Sequence, residues 1–141
     1  MQYKGEPDFQ HDQPRRIGVL VTNLGTPDAP TTPALRHYLG EFLTDPRVVE
    51  VPRLLWWLIL HGVILRFRPS RSAAAYRKVW EKNGSPLLTH TADQCEGIRQ
   101  KLEEKYGRNI RVAFAMRYGN PSIARVLEEM RGQGCRQLLV L

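Results

Sequence analysis

Residues 17–27 read IGVLVTNLGTP, and the fold follows from how this stretch is read. Residues 17–22 are short and almost wholly apolar, and a turn-rich run, Asn23-Leu24-Gly25-Thr26-Pro27, closes them. A brief apolar run bounded by turn residues predicts a strand buried on both faces, as strands of a parallel sheet are. In open sheets of that kind ligands bind beyond the carboxyl ends of the strands, which draws attention to the Asn23–Pro27 loop at once.

Outward from this strand the pattern alternates between helix and strand. After Pro33, the residues Leu35, Tyr38, Leu39, Phe42 and Leu43 recur at helical spacing until Asp45-Pro46 stops them. Ser70 is expected to cap a helix carrying Ala73, Tyr76, Val79 and Trp80 and ending at Asn83-Gly84. Ser85-Pro86 opens another, with Leu88, Thr91, Cys95, Ile98, Leu102 and Tyr106 on one face and Gly107 beyond its last turn. Ile110, Val112, Phe114 and Met116 then alternate with Arg111, Ala113, Ala115 and Arg117, the period of a strand. Asn120 is read as the cap of a following helix with Pro121 at its first position and Ile123, Val126, Leu127 and Met130 on its buried face. Gly132-Gln133-Gly134 breaks that helix before a last apolar run, residues 138–141. The order strand, helices, strand, helix, strand predicts an α/β fold with a doubly wound parallel sheet, and a sheet strand at the very end predicts an incomplete first domain over residues 17–141. Residues 1–16 are polar and lack the apolar stretch of a secretory signal, so they read as a flexible leader.

Composition narrows the function. Twenty-one Lys and Arg against 14 Asp and Glu give a formal charge of +7, spread along the chain instead of gathered in one run. That favours anionic metabolites or lipid head groups over nucleic acid. The two cysteines, Cys95 and Cys135, have no metal-ligand spacing, and none of the four histidines pairs with another at helical spacing. No glycine-rich phosphate loop and no nucleophile motif is present. A cytoplasmic protein is expected. Residues 54–65, LLWWLILHGVIL, form the most apolar stretch; as a helix it would rise about 18 Å, short of the roughly 30 Å membrane core. It reads either as a buried helix or, with Arg53, Arg66 and Arg68 flanking two adjacent tryptophans, as a hydrophobic lip or membrane-interface surface.

At the predicted strand ends, Gly25 would let the backbone turn sharply and bring a ligand close. Arg117 could pair with a carboxylate, and Tyr118 could stack on a flat ring or donate a hydrogen bond.

Three stretches taken together resemble the ferrochelatase family: VLVTNLGTPDAPTTPALRHYLGEFLTDPRVVEVP, AYRKVWEKNGSPLLTHT and FAMRYGNPSI. The resemblance implies an enzyme that inserts ferrous iron, its substrate, into protoporphyrin, the last step of haem biosynthesis, with no cofactor of its own here. It implies two similar doubly wound domains with the porphyrin between them, and family His and Glu residues that lie beyond Leu141. No catalytic residue and no metal ligand is therefore expected within this chain, and His37 and His90 are not expected to substitute. What carries over is substrate binding. Asn23 and Leu24 match the loop facing the macrocycle, where some relatives have Tyr in place of Leu24. Tyr76 and Ser85 match positions near the porphyrin's carboxylate edge, and Arg117 and Tyr118 match a strand end in the cleft. The lip falls at about residues 51–68, with Arg66 and Arg68 where basic residues meet propionates. Leu24, Tyr76 and Arg117 are expected to face one shared hollow. A porphyrin is a flat apolar ring with anionic arms, so apolar walls with a few guanidinium partners are what its site requires. On its own the chain is expected to be inactive. The alternatives are a non-catalytic fragment that binds porphyrin or haem, and an unrelated α/β module that contacts membrane through residues 54–65.

Overall fold

The computed structural model describes residues 16–141. The leader lies outside the described residues except for Arg16, which opens the first strand. Strands β1 (Arg16–Thr26), β2 (Ile110–Gly119) and β3 (Cys135–Val140) form a parallel sheet in the order β2-β1-β3. Helices α1 (Thr32–Thr44), α2 (Arg53–Ile59), α3 (Leu65–Val79) and α4 (Pro86–Tyr106) connect β1 to β2, and α5 (Ile123–Gly132) connects β2 to β3. The α/β, parallel-sheet reading of the sequence holds.

β1 is central, which explains its composition. Val19, Leu20 and Val21 are all buried because helices cover both faces. Leu20 and Ala115 pack under Val126 and Met130 of α5, while Val21 faces Gly97 and Ile98 of α4 on the other side. Burying a side chain such as Leu20, 1% exposed, stabilises the fold by about 1.5–3 kcal/mol. A second cluster joins α1 to the end of β2: Tyr38, Leu39, Leu43 and Tyr118, closed by Leu60.

Four local expectations need correction. β1 does not stop at Thr22; Gly25 and Thr26 still pair with Tyr118 and Gly119, so the turn-rich run is the end of the strand itself. Ser70 caps nothing, because α2, a π-helical turn at Leu60–Ile64 and α3 follow one another without a break and Pro69 lies inside α3. A proline in a helix leaves the carbonyl four residues back without its N–H partner. Here that carbonyl belongs to Leu65 and accepts a hydrogen bond from Arg36 Nε at 3.0 Å, which removes the usual reason for the helix to end. α3 ends at Val79, short of Asn83-Gly84. The cap of α5 is Ser122, whose hydroxyl accepts from the Arg125 N–H, and not Asn120, whose amide donates to the Asp28 carboxylate.

Residues 54–65 are not a buried helix. Leu54 is 77% exposed, and Leu55, Trp57, Leu58 and Val63 are more than half exposed; Leu60 alone is fully buried, and Trp56 is pinned by its indole N–H on the Leu43 carbonyl at 2.7 Å. The apolar ridge continues to Phe67, 62% exposed. No helix among the described residues is long and apolar enough to cross a membrane.

Candidate functional site at the carboxyl ends of the strands

The ends of β1 and β2 are locked together by two glycines. Gly25 has φ +113°, and a Cβ there would lie 1.8 Å from the Tyr118 carbonyl oxygen. Gly119 has φ +79°, and a Cβ there would lie 2.5 Å from the Thr26 carbonyl oxygen. What approaches Gly25 closely within the chain is therefore the backbone of β2. Tyr38 reinforces the junction by donating from its hydroxyl to the Gly25 carbonyl at 3.0 Å. Burial, and then the neighbouring Tyr76, Glu41 and Tyr118, push the Tyr38 phenol up to about 12.

Beside this junction lies an open hollow of about 1060 Å³. Arg36, His37, Glu41 and Thr44 of α1 form one wall, His61 another, and Arg117, Tyr118 and Gly119 the strand-end side. Its organising group is Asp45, just past α1. Arg117 Nη2 donates to Asp45 Oδ2 at 2.6 Å, and the Tyr118 hydroxyl donates to the same oxygen at 3.0 Å. The Arg47 N–H donates to Oδ1 at 2.9 Å. These contacts, the Arg47 N–H first and the Arg117 guanidinium next, hold the Asp45 carboxyl down at about 2. Reciprocally, Asp45 raises the Arg117 pKa. Phe42 meets the Tyr118 ring edge-on at 5.2 Å, and the Gly119 N–H donates to Glu41 Oε2 at 2.9 Å. The hollow is thus bounded by a fixed cation, a fixed phenol and several further basic side chains, a setting for an anionic group on a flat or apolar body.

Of the eight residues picked out in the sequence, Arg117 and Tyr118 line this hollow and the other six do not. Leu24 stands opposite Arg117 in the ladder, between the pairs Asn23↔Met116 and Gly25↔Tyr118, and is 51% exposed. Arg117 leans away toward Asp45, so the expected shared hollow is not formed by these side chains. Tyr76 is partly buried, with its ring centroid 6.1 Å from that of Trp80, and burial raises its pKa. Arg68 lines a separate apolar trough with Val63, Ile64 and Phe67 on the ridge, and Arg66 is exposed nearby on α3. Asn23 is engaged internally: its amide donates to Thr91 Oγ1 at 3.0 Å, and its Oδ1 accepts from the Leu24 N–H. Ser85 is buried and serves as the N-cap of α4, accepting from the Leu88 N–H at 3.2 Å. The roles of Asp45, Glu41 and Tyr38 at this site escaped the sequence reading, which took Tyr38 only as part of a helix face. Asp45 was visible there only as a helix terminator before Pro46, and nothing local signals a partner more than seventy residues away. The described residues contain no group of three or more His, Cys, Asp or Glu placed to hold a metal.

The sequence profile described as Ferrochelatase matches residues 16–141. Among curated proteins, the chain is similar to a ferrochelatase of Marinobacter nauticus, 70% identical over 141 residues, covering all of this chain and 38% of that protein. It is 64% identical to a ferrochelatase of Idiomarina loihiensis and 58% identical to one of Alcanivorax borkumensis, each over 141 residues and all of this chain. It covers 39% and 41% of those two proteins. The chain thus spans about two fifths of the length of the curated relatives it matches.

Proposed function

This chain belongs to the ferrochelatase family, and on that premise we propose that it is part of an enzyme that inserts ferrous iron into protoporphyrin, with residues 17–141 contributing to its first, partial chelatase domain. The observation that carries this reading is the agreement between the whole described chain and the family's sequence profile. In this reading the chain supplies one wall of the porphyrin site. Leu24 packs on the ring, and Arg117 and Tyr118 meet it at the strand end. Arg66 and Arg68 face one of the two propionates, and Tyr76 borders the carboxylate edge. Asn23 and Ser85 act indirectly, by fixing the Leu24 loop and the start of α4. Iron is a substrate, and the groups that take up the metal and the pyrrole protons are not among these 141 residues.

The protein's role in such a reaction is to bind and bend the macrocycle, so that its nitrogens are exposed as their protons leave; binding along the ring edge supplies the strain. An apolar contact at Leu24 and a guanidinium at the end of the neighbouring strand would each hold a different part of the ring. The exposed ridge from Leu54 to Phe67 supports a lip through which an apolar substrate enters, and its flanking arginines support peripheral contact with an anionic membrane from the cytoplasmic side. Such contact requires no membrane-spanning helix.

The test is to titrate the 141-residue chain with protoporphyrin under anaerobic conditions and then add ferrous iron. The expected result is a saturable, shifted Soret band without metallation. An unshifted Soret band up to the solubility limit would contradict the binding role, and formation of haem would contradict the assignment of the metal-handling groups to residues outside this chain.

A further inference from the structure

We propose that Asp45 is a positioning residue: it fixes Arg117 and Tyr118 at the strand end in the arrangement that receives a carboxylate arm of the tetrapyrrole. The inference rests on the porphyrin reading above, and the experiment below separates its failure from the failure of that reading.

Successive residues of a strand ordinarily point to opposite faces. Arg117 and Tyr118 are successive, yet both donate to a single oxygen, Asp45 Oδ2, at 2.6 and 3.0 Å. They converge because Asp45 sits beyond the last turn of α1, off the end of β2, where both side chains can reach it. Asp45 is itself held: its side chain is 9% exposed, and its other oxygen accepts the Arg47 N–H. The same α1 end carries the Leu43 carbonyl that pins Trp56, so the carboxylate is set on a packed element and not on a loose loop.

Arg117, by contrast, is 47% exposed, with its guanidinium carbon 5.5 Å from the centre of the Tyr118 ring. A guanidinium carries five N–H donors, so a contact through Nη2 leaves others for a ligand. A free arginine must give up its rotamer freedom when it binds, whereas one already anchored has lost that freedom on folding. Asp45 is largely covered and its oxygens are already occupied, which limits the repulsion it offers an incoming carboxylate.

The experiment compares the 141-residue chain with Asp45→Asn, Arg117→Ala and the double variant, titrated with protoporphyrin and with its dimethyl ester. Asp45→Asn keeps the shape and removes the anchor. It should weaken protoporphyrin binding ~10-fold while leaving the ester, which lacks free carboxylates, unchanged. The double variant should bind no more weakly than Arg117→Ala alone, an outcome a general structural defect would not produce. Equal losses for acid and ester, or additive losses in the double variant, overturn the proposal. The Arg117 Nη2 protons give a readout that needs no ligand: their resonance should be sharp and slow to exchange in the parent chain and broaden in Asp45→Asn. An unchanged resonance overturns the proposal whatever porphyrin does. A resonance that responds in a chain that ignores porphyrin leaves the positioning role standing and removes the porphyrin reading.

Discussion

At the scale of single residues, Gly25 and Asp45 hold the strand ends in place by different means. A side chain at Gly25 would meet the Tyr118 carbonyl oxygen at 1.8 Å and force an unfavourable positive φ, so Gly25→Ala should cost about 3 kcal/mol in a urea titration. A loss below ~0.5 kcal/mol would show that the two strand ends are not in contact. Asp45 acts through charge and so depends on pH. Its carboxyl titrates near 3.8 when unperturbed and is held down at about 2 in the fold, so the folded state resists protonation. The stabilisation is complete above the unfolded value and disappears as pH falls through the folded one. Asp45→Asn should therefore be less stable than the parent chain at neutral pH, with the gap narrowing below about pH 4 and closing near pH 2. A gap that is the same at both ends of this range would rule out the Arg117 and Tyr118 contacts as its source. The strand-end cation and phenol were legible in the sequence because strand periodicity brought them to a carboxyl edge. Asp45 was not, because its partners are close only once β2 has docked on α1.

Among the elements, the helices show which local rules prevailed. Ser85 before Pro86 gave the start of α4, and the hydroxyl does cap it; Ser85→Ala should cost about 1 kcal/mol in thermal or urea unfolding. Ser70 misled as a cap, because Pro69 before it lies inside α3, and the Arg36 side chain that takes up the Leu65 carbonyl comes from another helix. If that bond is what permits Pro69, Arg36→Ala should cost more in the parent than in a Pro69→Ala background, where the backbone N–H returns. A double-mutant cycle should give a coupling of about 1 kcal/mol, and a coupling of zero would mean the contact is incidental. Residues 54–65 were readable as either buried or exposed, because composition alone does not say what lies opposite. The structure leaves Leu54 and Trp57 outward, so changing both to Ser should alter stability by under ~0.5 kcal/mol each while lowering partition onto anionic vesicles. A large stability loss would mean the ridge is packed in solution.

At the scale of the molecule, the parallel sheet was written in the alternation of apolar runs and helical periods, and β1 was legible as a strand buried on both faces; its central place in the described sheet came only with the structure. Which side chains would share a hollow was not, since that depends on lateral leans such as that of Arg117 toward Asp45. β3 forms one edge of the described sheet, with Leu138, Leu139 and Val140 each about half exposed. The central claim is that the loop at Leu24, the strand end at Arg117 and the ridge with its following helix together form a wall for a tetrapyrrole. Hydrogen–deuterium exchange of the 141-residue chain with and without protoporphyrin tests this most directly. Added protection is expected at residues 23–27, 66–80 and 116–120, with α5 unaffected. Protection absent from all three segments, or confined to β3 and α5, would contradict that claim.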